Sequence, residues 1–256
     1  MNGIGVVVAL PRELPAGFAR IACQERLKPW AVAVYRPTPG PGQHVAVQAG
    51  VGRMRAAAAA RLLIQRFSPR ALVSFGFAGG LVPELGRGTL VIGTAVVEAA
   101  TCHTVAVADH DLAAQFYRAA VAKDLPVQQG IVVTSRHIVA DPSAKTALNV
   151  RSGACAVDME SAGIAEVAHE AGLPWVAVRA IVDRAQESLP EACLNLLRQD
   201  GSIAPGGLLQ TFCRSPTLLW HVLRLARHTA TARRHLSQTF ECWAASLTLE
   251  CAQELE

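Results

Sequence analysis

The segment ACAVDMESAGIAEVAHEAGLPWVAVRAIVD, residues 154–183, contains a complete strand–helix–strand unit. Residues 154–159 predict a short strand, 161–171 an alanine-rich helix, and 175–182 a second strand. Gly172 and Pro174 sit where a helix stops and the chain turns back. The second strand is apolar at nearly every position, as a strand covered by helices on both faces must be. Three carboxylates punctuate this apolar text. Asp158 and Glu160 close the first strand, with a spacing that puts both on one face, and Asp183 closes the second.

The same rhythm extends toward the N-terminus. GIGVVVAL at 3–10 predicts a buried strand stopped by Pro11, with Glu13 just after it. WAVAVYR and HVAVQAG flank PTPGPG as a hairpin, and GVGRMRAAAAARLLIQRF turns on Gly50 and Gly52 into a helix. ALVSF predicts a strand, GFAGGLVPELGRG a glycine-rich loop, and TLVIGTAVVEA and HTVAVA further strands. A helix capped by Asp109 or Asp111 and the strand VQQGIVVTS lead to the loop RHIVADPSAK and a short helix. Strands alternating with helices imply a mostly parallel sheet with helices on both faces. Residues 1–190 are expected to form this α/β core. Residues 191–256 are expected to form a helical C-terminal extension packed on the same domain.

Composition excludes several classes. Of 256 residues, 51% are hydrophobic and 17% charged, which argues against disorder. A net charge of +4 is too small to indicate nucleic acid as a partner. Seven cysteines, an odd number without CxxC spacing, suit core thiols in a reducing cytoplasm. Eight histidines without HxxxH or HExxH spacing give no zinc motif, so no metal is expected. MNGIGVVVALPREL lacks the basic start and cleavage site of a secretory leader, and no apolar run is long enough to span a bilayer.

Ligands of open α/β sheets bind beyond the carboxyl ends of the strands. Glu13, Asp158, Glu160 and Asp183 all fall there, so acids from three elements are expected to converge. An acid near a helix's first turn also suits the helix dipole, which is an ordinary reading for Glu160. GVGRMR is a poor dinucleotide fingerprint: its third small residue, Ala56, comes one place late, and no acid follows about 20 residues on. SFGFAGG lacks the Lys-Ser/Thr of a phosphate loop, although its backbone could approach a ligand closely.

Together these motifs resemble the nucleoside phosphorylase superfamily, and within it the methylthioadenosine/S-adenosylhomocysteine nucleosidases. The resemblance rests on GIGVVVALPREL, AGVGRMRAAAAARLLIQRFSPRALVSFGFAGGL and VDMESAGIAEVAHEAGLPWVAVRAIVD, in unbroken order over residues 3–183. It implies a three-layer αβα sandwich around a mixed sheet, and cleavage of a purine N-glycosidic bond without a cofactor. By resemblance Asp183 protonates the purine at N7 and Glu13 orients or deprotonates the attacking water. Glu160 grips the ribose hydroxyls, Met159 packs on the sugar, and Asp158 stands where the nucleosidases carry another acid. Phe77, Ala78 and Gly79 match the loop beside sugar and base. Ile138 and Val139 match the pair that packs on the purine, with Ile138 where the family carries an aromatic. A homo-oligomer, in the first instance a dimer, is implied as well.

Two departures narrow the resemblance. The chain is much shorter than the nucleosidases between VVEAATCHTVAVA and HDLAAQF, where that family builds the 5′ side of its pocket. It also carries, in its C-terminal part, a basic amphipathic stretch at 215–236, with Leu218, Val222, Leu225, Ala232 and Leu236 on one side. Arg224, Arg227, His228, Thr231, Arg234 and His235 fall on the other. These features resemble the hopanoid-associated phosphorylases, implying adenosylhopane as a lipid-linked substrate and peripheral contact at the inner face of the membrane. Inorganic phosphate is then a co-substrate to weigh against water. Arg12 and Arg53 are its candidate ligands by position, whereas Glu13 favours water.

Overall fold

A computed structural model describes residues 3–21, 25–27, 30–35, 43–188 and 216–253. Ten strands form one sheet. They are β1 (Gly5–Val8), β2 (Glu25–Leu27), β3 (Trp30–Tyr35), β4 (His44–Gln48), β5 (Leu72–Gly80), β6 (Leu90–Glu98), β7 (Thr104–Val107), β8 (Val127–Thr134), β9 (Ala156–Asp158) and β10 (Trp175–Asp183). The helices are α1 (Ala16–Ile21), α2 (Arg53–Phe67), α3 (His110–Val121), α4 (Pro142–Ser152), α5 (Ser161–Glu170) and α6 (Pro216–Gln253). A 3-10 turn, Pro11–Glu13, follows β1.

The sheet has two parts. One wing runs β2–β3–β4–β1–β5, and contains the expected hairpin as the antiparallel pair β3–β4. Beyond it β5 pairs with both β10 and β9, β10 with β6, β6 with β8, and β8 with β9. Five strands therefore close into a ring. Parallel and antiparallel ladders among the described strands are equal in number, so the sheet is mixed without a parallel majority.

Helices cover the wing and the ring according to their apolar faces. α2 buries Ala56, Ala57, Ala59, Ala60 and Leu63, small side chains that let it lie close to α5. The approach is closest at Gly163, where an added Cβ would stand 2.3 Å from the Arg53 carbonyl oxygen. α6 buries Ala232, Leu236, Phe240, Trp243 and Ala244, spaced to fall on one helix face. Trp243 stacks on Phe116 of α3, with ring centroids 4.7 Å apart.

The described half of α6 is thus part of the core. His235, expected on the solvated basic side, is instead buried and bonds through Nδ1 to the Gly88 carbonyl at 2.7 Å. Helical period alone placed it with the arginines, but an imidazole can be buried where a carbonyl meets it. The 215–228 side chains of that amphipathic stretch, and the break at 200–207, lie outside the described residues. A second correction concerns SFGFAGG. It is strand, not loop, because Gly76 and Gly79 pair with β10 and Gly79 and Gly80 pair with β9. The strand expected over 154–159 narrows to β9, since the chain turns at Met159 and Glu160 to enter α5.

Candidate active site

Three of the four acids at the strand ends, Glu13, Asp158 and Glu160, meet around one cation, and Asp183 pairs with another. Arg179 lies at the middle of β10 and is 1% exposed. Its Nη2 stands 2.6 Å from Asp158 Oδ2, and its Nη1 3.8 Å from Glu160 Oε2. Nη2 also donates to Ser74 Oγ at 2.5 Å and Ser161 Oγ at 3.0 Å. Gly76 on β5 makes room, since a Cβ there would lie 2.6 Å from Arg179 Nη1 and 2.7 Å from Glu13 Oε1. Glu13 and Arg179 therefore flank the same glycine.

Pro11 and the 3-10 turn fold Glu13 back over the end of β1. Its Oε2 accepts from the Ala9 and Leu10 amides at 2.8 and 2.7 Å, and its Oε1 from the Phe77 amide at 2.9 Å. Burial pushes this carboxyl up from its ordinary range, while Arg179 and the three amides pull it down. Glu160 is the N-cap residue of α5, and its Oε1 accepts from Gly52 at 3.0 Å. The glycine turn after β4 thus serves a carboxylate, with φ of 79° at Gly50 and 111° at Gly52. Burial raises Glu160 to about 7, against the pull of Arg179 and with further push from Asp158 and Glu13.

Asp158 is brought into the cluster but faces inward. Its carboxylate accepts from Thr134 Oγ1 at 2.7 Å and the Ser161 amide at 3.1 Å, besides pairing with Arg179. With these partners it holds Arg179 in place.

Asp183 ends β10 beside Gly79, whose Cβ would stand 3.1 Å from Oδ2. Its partner is Lys145 of α4, an ion pair buried at both ends. Burial raises the Asp183 carboxyl, and Lys145 opposes that rise. Phe77 and Gly79 are half-buried and Ala78 is buried, one strand from Asp183. Met159, half-buried, lies between Asp158 and Glu160. Val139 packs against the cluster around Leu148 and Val157, whereas Ile138 stays 40% exposed in the loop that leads to α4.

The two candidate phosphate ligands stand differently. Arg53 is already held by Glu98 at 2.7 Å and Glu166 at 3.1 Å, which neutralise it. Arg12 is exposed on the turn before Glu13. Among the described residues, no group of three His, Cys, Asp or Glu side chains could hold a metal ion.

Sequence reasoning missed Arg179, Ser74, Thr134, Ser161 and Lys145. Arg179 carried a signal, because a charge inside WVAVRAIV must have buried partners. Lys145, in a short polar helix, carried none.

The geometry defines a compact acid cluster at the strand ends of an α/β fold, and comparison with known proteins gives it a family. A profile of the Phosphorylase superfamily matches residues 4–200, and the chain belongs to that superfamily. It is an enzyme of the nucleosidase and nucleoside phosphorylase class. The chain is 28% identical over 200 residues to 5'-methylthioadenosine/S-adenosylhomocysteine nucleosidase of Anoxybacillus flavithermus, covering 70% of this chain and 84% of the relative. Against the nucleosidase of Geobacillus thermodenitrificans it is 34% identical over 165 residues, covering 56% and 67%. The fold is shared with the Neisseria meningitidis nucleosidase in complex with methylthio-immucillin-A. That match has a TM-score of 0.73 and 19% identity over 96% of this chain and 100% of the other. It is shared also with the futalosine hydrolase of Helicobacter pylori, with a TM-score of 0.70 and 16% identity over 94% and 97%.

Proposed function

We propose that the chain hydrolyses the N-glycosidic bond of an adenosine carrying a large apolar 5′ substituent, releasing adenine; adenosylhopane is the substrate the sequence resemblance implies. The observation that carries the reading is the pair of separately served acids, Glu13 beside Arg179 and Asp183 beside Lys145. Water attacks C1′ as the C1′–N9 bond breaks. Glu13 takes the proton from water, Asp183 gives one to N7, and the products are adenine and the free sugar end of the lipid. A buried carboxyl of raised proton affinity suits both ends of that exchange. Glu160 is assigned the ribose hydroxyls. Met159, Phe77, Ala78, Gly79, Ile138 and Val139 are assigned the sugar and base faces.

Water is preferred to phosphate because three carboxylates surround Arg179, the one buried guanidinium among the described residues, and Arg53 is paired elsewhere. A bulky 5′ group is supported by the passage from β7 to α3, only Ala108 and Asp109 long, where Asp109 caps the helix at once. The assay is adenine release from adenosine, methylthioadenosine and a 5′-alkyl adenosine, with and without phosphate. Release without phosphate, fastest on the alkyl substrate and abolished in Asp183→Asn, is expected. Strict dependence on phosphate would replace hydrolysis by phosphorolysis. Full activity of Asp183→Asn would remove the acid.

The proposal extends to a homodimer at the inner face of the cytoplasmic membrane. Met54, 82% exposed at the head of α2, supports a covered surface, and exposed Arg233 and Arg234 on α6 support contact with anionic lipid. Among the described residues no helix is long and apolar enough to cross a membrane. Flotation with anionic liposomes, lost on charge reversal of Arg233 and Arg234, is the check.

A further inference from the structure

Lys145 has no role in the reaction as assigned so far, yet it is the only lysine buried among the described residues, 0% exposed. It projects from the first turn of α4, a helix capped by Asp141. Its Nζ is in ion-pair contact with Asp183 Oδ2 and donates to the carbonyls of Arg184 at 2.8 Å and Glu187 at 3.0 Å. Three acceptors around one nitrogen call for three N–H donors, which only the ammonium has. The charge therefore belongs to the site and is not a tolerated surface remnant. The two carbonyls belong to the segment just after β10, so the same ammonium fixes the backbone on which Asp183 ends.

We infer that Lys145 is a positioning residue for the glycosidic cleavage, anchoring one oxygen of Asp183 and leaving the other to face the purine. The inference rests on the reading of Asp183 as the proton donor. The groups facing Asp183 are Lys145 from α4, Glu187 from the segment after β10, and Arg87 from the turn before β6. Glu187 is itself paired with Arg87 and accepts from the Arg184 amide at 3.1 Å. Burial and Glu187 favour the protonated acid, while Lys145 and Arg87 favour the carboxylate. Without Lys145 the buried carboxyl holds its proton more tightly. It then stays protonated to higher pH and is a weaker donor.

Two variants move the balance in opposite directions. Lys145→Met removes the cation. Glu187→Gln removes an anion while keeping the backbone carbonyl that Lys145 uses. Each is read by the pH profile of adenine release, and by carboxyl 13C NMR titration of aspartate-labelled protein, with the Asp183 signal assigned by its loss in Asp183→Asn. In Lys145→Met the Asp183 titration and the alkaline limb of kcat/KM should rise by about one pH unit or more. Its kcat should fall about tenfold, with KM changed less than about threefold. Glu187→Gln should lower both titrations. An Asp183 titration unmoved in both variants, or losses equal at every pH, would overturn the assignment. Should wild-type protein release no adenine, the functional reading fails, and the NMR titration alone decides the role of Lys145. Should Lys145→Met not fold, Glu187→Gln decides by the sign of its shift.

Discussion

Replacing Arg179 by methionine tests the acid cluster as an electrostatic unit. The guanidinium is 1% exposed and holds Asp158 at 2.6 Å, with Glu160 at 3.8 Å and Glu13 across Gly76. Its serine partners are not orphaned by its loss, because Ser74 Oγ and Ser161 Oγ lie 3.0 Å apart and bond to each other. The destabilisation then comes mainly from carboxylates left without a counter-charge. Removing one side of a buried ion pair costs about 3–5 kcal/mol. The sign with pH follows from the carboxyls. Glu13 and Glu160 already lie above their ordinary values, and losing Arg179 raises them further. A carboxyl raised in the folded state keeps its stability below the unfolded pKa and loses it as pH rises through the folded one. The deficit should therefore be about 1 kcal/mol at pH 5 and about 3–5 kcal/mol at pH 8. Urea unfolding of wild type and Arg179→Met at pH 5, 6.5 and 8 gives the numbers. A deficit of equal size at all three would mean that Arg179 acts through packing, and the charge account would fall.

Gly76→Ala forces a Cβ to within 2.7 Å of both Glu13 and Arg179, and should lower stability by about 1–3 kcal/mol and activity more steeply, checked by melting and adenine release. Glu160→Gln should stabilise the fold by up to about 3 kcal/mol above pH 7, where the native glutamate must ionise in a buried site, and leave stability near pH 4 unchanged. Thermal melts across that range read it directly. His44, buried and accepting from the Ile4 amide at 3.2 Å, is lowered to about 4 by burial and then by Arg70. It contributes stability that is complete above about pH 6.5 and is lost, by about 3 kcal/mol, as pH falls to 4. His44→Gln should flatten that part of the acid melting curve. Trp243→Ala, deleting a fully buried ring stacked on Phe116, should cost about 3–5 kcal/mol in chemical denaturation without moving the pH profile of the enzyme.

Periodicity was sufficient where burial is two-sided and continuous. Residues 154–183 yielded β9, α5 and β10 because apolar runs and the Gly172–Pro174 stop leave few alternatives. It failed where glycine is present for packing and not for turning. Gly76 and Gly79 read as a loop, yet each is the vacant position that a side chain on another strand fills. The acids were legible because a carboxylate at the end of an apolar strand is conspicuous. Their partners were less so, since Ser74, Ser161 and Thr134 look like ordinary small polar residues until β5, α5 and β8 meet. Closure of five strands into a ring left no mark in the sequence at all. It depends on β5 pairing on two sides with strands that follow it by about 80 to 100 residues.

Burial raises Glu13, Glu160 and Asp183 alike, but each meets that rise with different partners. Asp158 has the shortest bond to Arg179, together with a hydroxyl and an amide. Glu13 has three amides and shares the same cation, and these oppose the rise that burial causes. Glu160 has one amide and the more distant Nη1, with two acids pushing against it, which leaves it to carry the proton near neutrality. A proton placed there keeps the repulsion among three acids from falling on Glu13, the assigned base. Asp183 stands apart from this competition, with Lys145 as its own counter-ion. Pairs of titratable groups whose surroundings push them apart are how one site keeps an acid and a base together. Among the described residues two buried cations on separate elements, Arg179 on β10 and Lys145 on α4, divide the acids into one set around the guanidinium and one beside the ammonium, so that each can be tuned through its own counter-charge.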